Sequence, residues 1–201
     1  MPLGADYQDA VSFFQRAFTV VLALALSEAF KQAIADKAGQ PEDRIIYWER
    51  LPTLLSFLLL IFPFFHGMNR HIFRAYLDVK VIPDFYSGFL MLDGIVFMLE
   101  SAIFFVMSRA LSPGQWRNFY WCILALMAID TIWASLAYLR GAPVVPWIVL
   151  NVGLACVSAA VLACFRKPKS LIPPTISAAT ILITTTLSYI WMWEFYFGKQ
   201  S

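Results

Sequence analysis

Six apolar runs, each long enough to cross a lipid bilayer, occupy most of this 201-residue sequence. A helix spanning the hydrocarbon core needs about 20 mostly apolar residues. Runs of that kind extend from about Val11 to Ile34, Leu51 to Met68, Phe85 to Met107, Phe119 to Leu139, Val144 to Phe165 and Ile172 to Phe197. Their boundaries carry the residues that start and stop helices. Pro52 opens the second run, and Pro173 with Pro174 opens the sixth, where a missing N–H is harmless. Ser112-Pro113-Gly114 follows the third, Arg140-Gly141-Ala142-Pro143 ends the fourth, and Arg166-Lys167-Pro168-Lys169 ends the fifth. Period-two alternation is missing, so the runs read as helices and not as barrel strands. The expected fold is an all-α polytopic membrane protein, a six-transmembrane-helix bundle forming a single domain over residues 1–201.

Composition supports that class and removes others. The chain is 60% hydrophobic and 14% charged, whereas soluble domains run near half and a quarter. Disorder and an ordinary soluble enzyme are excluded, and a net charge of +2 is too small for a nucleic-acid footprint. An integral, multi-pass protein of a plasma or bacterial inner membrane is expected. Asp6 and Asp9 stand ahead of the first run with no basic stretch, so that run is expected to persist as a helix. Lys and Arg number six on the side holding both termini and nine on the other, which leans towards both termini outside.

Catalytic signatures are missing: there is no G-x-S-x-G, H-E-x-x-H or P-loop, and no enzyme is expected. Cys122, Cys156 and Cys164 fall in apolar runs without metal-site or redox spacing and read as buried small hydrophobes. His66 and His71 are five apart, about 500° around a helix, and point to different faces. No metal or cofactor is expected. Trp48, Trp116, Tyr120, Trp121, Trp191, Trp193 and Tyr196 lie near run ends, where rings mark the headgroup level; a ligand-binding aromatic box is the alternative.

Polar residues inside the runs hold the functional information, because ionisable groups in a bilayer need a partner, a cavity or a route to the interface. Asp93 and Glu100 are seven apart on the third run, and Ser101 and Ser108 extend their face. Asp130 lies in the fourth run, Asn151 and Ser158 in the fifth, and Ser177, Thr180, Thr184 and Ser188 form a hydroxyl stripe on the sixth. Such seams line a hydrated pathway, where carboxylates attract a cation and hydroxyls replace its water. Alternatively they bond helices together, or back onto their own carbonyls. Glu28 has Lys31 as a local partner, and Arg70, Arg74 and Arg109 are the cations expected to neutralise the third-run acids. His66, Asn69, Arg70 and Arg74 share one face of a helical extension reaching about Leu77, and with Asp78 and Asp84 they form a pH-sensing or anionic-headgroup candidate.

The first and fourth runs share a pattern. Arg16-Ala17-Phe18, Leu22-Ala23-Leu24 and Glu28 match Arg117-Asn118-Phe119, Leu124-Ala125-Leu126 and Asp130 after one insertion, which would make a 3+3 inverted repeat. Arg16-Ala17-Phe18-Thr19 and His71-Ile72-Phe73-Arg74 resemble parts of the first two helices of the lysosomal and bacterial six-helix potassium-channel family. Val20 stands where that family has an Asp, and no residue role is carried over. The expected function is a small permeation protein, channel or transporter, for a small cation or proton. So small a bundle has little room for a large cavity, which favours a homo-oligomer with the pathway on a symmetry axis or between repeats. The alternatives are a non-conducting scaffold that binds partner helices and a lipid-handling protein. Beyond the bilayer and the cation, no partner is expected, and no nucleic acid.

Overall fold

The structure, a computed structural model, describes residues 5–34, 48–77, 86–111, 114–165 and 171–198. Every regular element among them is helical. The long helices are α1 (Ala5–Ile34), α2 (Leu51–Ile72), α3 (Tyr86–Arg109), α4 (Trp116–Leu139), α5 (Val145–Cys164) and α6 (Ile172–Trp191), followed by a short α7 (Trp193–Phe197). A 3-10 turn, Trp48–Arg50, leads into α2, and a π-helical turn, Phe73–Leu77, continues it. Lys37, Arg44, Lys80, Arg166, Lys167, Lys169 and Lys199, which carry much of the orientation count, lie outside the described residues, as do Asp78 and Asp84.

Five stretches, Gln8–Ala33, Trp48–Leu77, Gly88–Arg109, Trp116–Leu139 and Val145–Cys164, are long and apolar enough to cross a membrane. Their outward side chains include Val20, Leu24, Ile95 and Ile132, all exposed. Apolar surface on that scale suits hydrocarbon rather than water, and the chain is a multi-pass membrane protein. α6 is not among the five; two prolines and a run of Thr hydroxyls interrupt its Ile and Leu.

The sixth run was expected to be one helix to Phe197, but it turns at Met192. Met192 N–H still donates to the Ser188 carbonyl at 2.9 Å, and α7 then folds Phe195 and Tyr196 back onto the bundle. Phe195 meets the Trp147 ring edge-on at 4.8 Å, and Trp147 Nε1 donates to the Tyr196 hydroxyl at 3.1 Å.

Helices α2 to α6 close into a ring: α2 packs on α6, α6 on α5, α5 on α4 and α4 on α3. The direct seam between α2 and α3 is thin, and α1 packs along it from outside, mainly against α3. Gly94 permits that approach, since a Cβ there would lie 2.5 Å from the Phe14 ring. Helix neighbours do not repeat between the two halves. α1 leans chiefly on α3, the third of its triplet, whereas α4 leans on α5, the second of its own. Glu28 and Asp130, matched in sequence, also differ in setting. Glu28 accepts from Gln32 at 2.8 Å and faces Lys31 at 4.0 Å on α1, outside the ring. Asp130 faces the ring's interior.

Candidate functional site

Asp93 lies two turns into α3 and is only 1% exposed. Four donors from three elements converge on it. Tyr76 donates its hydroxyl to Oδ2 at 2.6 Å, and His71 Nε2 stands 2.9 Å from the same oxygen. Trp133 Nε1 donates to Oδ1 at 2.9 Å, and Arg140 Nη2 reaches that oxygen at 3.5 Å. His71 and Tyr76 are five residues apart, so on a regular α-helix they would diverge by about 140°. The π-helical turn Phe73–Leu77 widens the helix between them and brings both onto one carboxyl. Arg140 is held from the other side, its guanidinium 4.6 Å from the Phe89 ring centroid. The result is a closed polar cluster in which a buried carboxylate has ample donors.

One turn or more deeper, the ring surrounds a cavity of about 80 Å³, open at its mouth and with room for several waters. Glu100 from α3, Asp130 from α4 and Asn151 from α5 supply its polar wall, and Thr184, Thr185 and Ser188 from α6 add hydroxyls. Glu100 is 1% exposed, and its Oε1 has no hydrogen-bond partner among the described residues. Asn151 Nδ2 donates to Asp130 Oδ2 at 2.5 Å, which fixes the carboxyl's orientation. Among the described residues, no Lys, Arg or His lines the cavity. The remaining wall is apolar and strongly aromatic, with Phe64, Phe97, Trp133, Trp147 and Tyr196. Gly67 leaves space beside two of these rings, since a Cβ there would meet Trp147 Cζ2 at 3.4 Å and the Tyr196 hydroxyl at 3.5 Å.

The α3 seam read from spacing is interior throughout: Asp93, Glu100, Ser101 and Ser108 are all buried. Its members part company in chemistry. Asp93 is enclosed by donors, Glu100 faces the cavity, and Ser101 and Ser108 donate to the carbonyls of Phe97 and Phe105 at 2.6 and 2.7 Å. The α6 stripe divides similarly. Thr184 and Ser188 line the cavity, while Ser177 and Thr180 lie further along the helix and do not. Thr185, absent from the expected stripe, donates to the Leu59 carbonyl at 3.1 Å and ties α6 to α2.

The basic end of α2 has internal partners. Arg70 donates to the carbonyls of Phe195 and Gly198 at 2.9 and 2.7 Å, and Arg74 donates to that of Glu194 at 3.0 Å. Arg70 thereby satisfies carbonyls that the end of α7 leaves open, while Arg74 shares the Glu194 carbonyl with the Gly198 N–H. His66 stands 3.4 Å from the Tyr189 hydroxyl and packs against the Tyr196 ring. Cys156 and Cys164, expected inside, are exposed on the bundle's outer face, and Cys122 is half-buried. Of the rings near the run ends, Trp116, Tyr120 and Tyr196 are packed inside the bundle, and Trp48, Trp121, Trp191 and Trp193 are exposed.

Five site residues escaped the sequence reading: Tyr76, Trp133, Arg140, Trp147 and Thr185. A signal existed for the two indoles. Trp133 follows Asp130 by three residues and Trp147 precedes Asn151 by four, so each shares a helix face with a polar wall residue. Compared with known proteins, the chain matches no family model, no curated protein and no solved structure.

Proposed function

We propose that this chain is a small permeation protein for a proton or small cation, built on six spanning helices with α6 as the sixth, and that Glu100 and Asp130 are its binding carboxyls. The observation that carries this reading is the pairing of two carboxyls with a cavity that, among the described residues, is lined by no basic side chain. An acidic, low-dielectric chamber favours a bound proton or cation over an empty state. Asp93, at first the obvious pathway acid, is already matched by Arg140 and His71 and acts as a structural anchor on this reading. The pathway then lies within one chain and requires no symmetry axis.

The test is flux in liposomes reconstituted with purified protein, with an entrapped pH dye and with sodium or potassium gradients. Wild type should relieve at least one gradient faster than empty vesicles. Glu100→Gln and Asp130→Asn should return it to the leak of empty vesicles while remaining monodisperse and helical. Undiminished flux in both folded variants, or no flux in wild type under any gradient, would overturn the assignment.

A further inference from the structure

We infer that the cation suited to this cavity is a hydrophobic ammonium ion, one charged nitrogen carrying an apolar skirt, rather than a bare metal ion. The inference rests on the reading of Glu100 and Asp130 as the cation-binding pair and names the class of ligand they serve. A bare cation must exchange its water for a shell of oxygens. Among the described residues no group of three or more His, Cys, Asp or Glu side chains is placed to hold a metal ion. What the cavity offers in abundance is aromatic carbon and two carboxyls.

The two indoles are prepared for such a ligand. Trp133 gives its N–H to Asp93, and Trp147 gives its N–H to Tyr196. Both line the cavity with their N–H groups committed, and their ring centroids lie 6.2 Å apart. Trp133 is about one turn along α4 from Asp130, and Trp147 about one turn along α5 from Asn151, roughly 5 Å in each case. A nitrogen placed at the carboxyls therefore sets its substituents against the indoles. Cations are attracted to Trp faces, most strongly when both are desolvated. The cavity has room for several waters, more than a dehydrated metal ion needs. Glu100, buried with an unpartnered oxygen, supplies the charge that such a ligand would neutralise.

The probe is radiolabelled benzyltrimethylammonium, measured by equilibrium dialysis against purified protein in a neutral detergent. Saturable binding of one probe per chain is expected. Neopentylbenzene, which has the same shape without the charge, should fail to displace it. Trp147→Leu should weaken binding by about tenfold, Trp147→Phe by much less, and Glu100→Gln combined with Asp130→Asn should abolish it. Loss of binding in Trp147→Phe equal to that in Trp147→Leu would overturn the role of the ring face. Displacement by neopentylbenzene, or the absence of saturable binding, would overturn the ammonium assignment, and neither readout requires a variant to fold. Glu100-dependent proton or metal-ion flux without probe binding would sink this inference and leave the proposed function standing. Absence of both would sink the two together.

Discussion

Replacing Asp93 by Asn separates a structural anchor from a pathway acid, because it removes the charge and keeps the shape. Three strong donors, Tyr76, Trp133 and His71, contact the carboxyl between 2.6 and 2.9 Å. A hydrogen bond to a charged group contributes about 1.5–3 kcal/mol, and a neutral one about 0.5–1.5. Each of the three therefore loses about 1 kcal/mol, provided that Tyr76 and His71 reorient to accept from the new amide. Arg140 is further away at 3.5 Å and its side chain is 24% exposed, so its lost pairing adds less than about 1 kcal/mol. The expected destabilisation is about 3–4 kcal/mol, a large part of the roughly 5–15 that a folded protein commands. Reversible unfolding in mixed micelles titrated with dodecyl sulfate, followed by circular dichroism, measures it. Tyr76→Phe alone should cost about 2 kcal/mol and much less in the Asp93→Asn background, a coupling of at least about 1 kcal/mol. A variant within about 0.5 kcal/mol of wild type, with additive effects in the double mutant, would refute the anchor. Asp93 would then be available to the pathway after all.

Two further expectations concern how the outer helix and the C-terminal turn are held. Gly94→Ala drives a methyl to within 2.5 Å of the Phe14 ring; it should destabilise the bundle by about 1–3 kcal/mol in the same unfolding assay, and Phe14→Ala in the same chain should recover most of the loss. Arg70→Ala frees the carbonyls of Phe195 and Gly198; amide exchange in α7 should accelerate about tenfold or more while exchange in α4 stays unchanged.

The spanning helices were legible because membrane thickness imposes a length, and little in the sequence competes with that signal. The interior face of α3 was legible for a related reason: Asp93 and Glu100 are two turns apart, and a bilayer leaves such residues one direction to face. Their separate fates were not. The cations expected for them were Arg70, Arg74 and Arg109, chosen by proximity along the chain. The partner is Arg140, at the end of a helix whose lateral position spacing does not encode. The convergence of His71 and Tyr76 was hidden by the assumption of regular α geometry, which the π-helical turn breaks. Tyr196 was read as a ring near the end of a straight sixth helix, and the turn at Met192 packs it inside the bundle. The cavity needs side chains from five long helices and α7, a juxtaposition that only packing reveals.

The Asp93 cluster also bears on how the chain enters its membrane during synthesis. α3 emerges carrying two acids, and an acid at the centre of an isolated helix costs about 2.5–3.5 kcal/mol to insert. Arg140 is 47 residues after Asp93 and does not yet exist outside the ribosome when Asp93 emerges. His71 and Tyr76 do exist, 22 and 17 residues earlier, on the helix made just before. α2 and α3 therefore have reason to partition into lipid as a hairpin, with the first two donors already on the carboxyl. Trp133 and Arg140 complete the enclosure when α4 arrives. The cluster thus records an order of assembly: half of it serves the nascent chain, and the other half locks the finished ring.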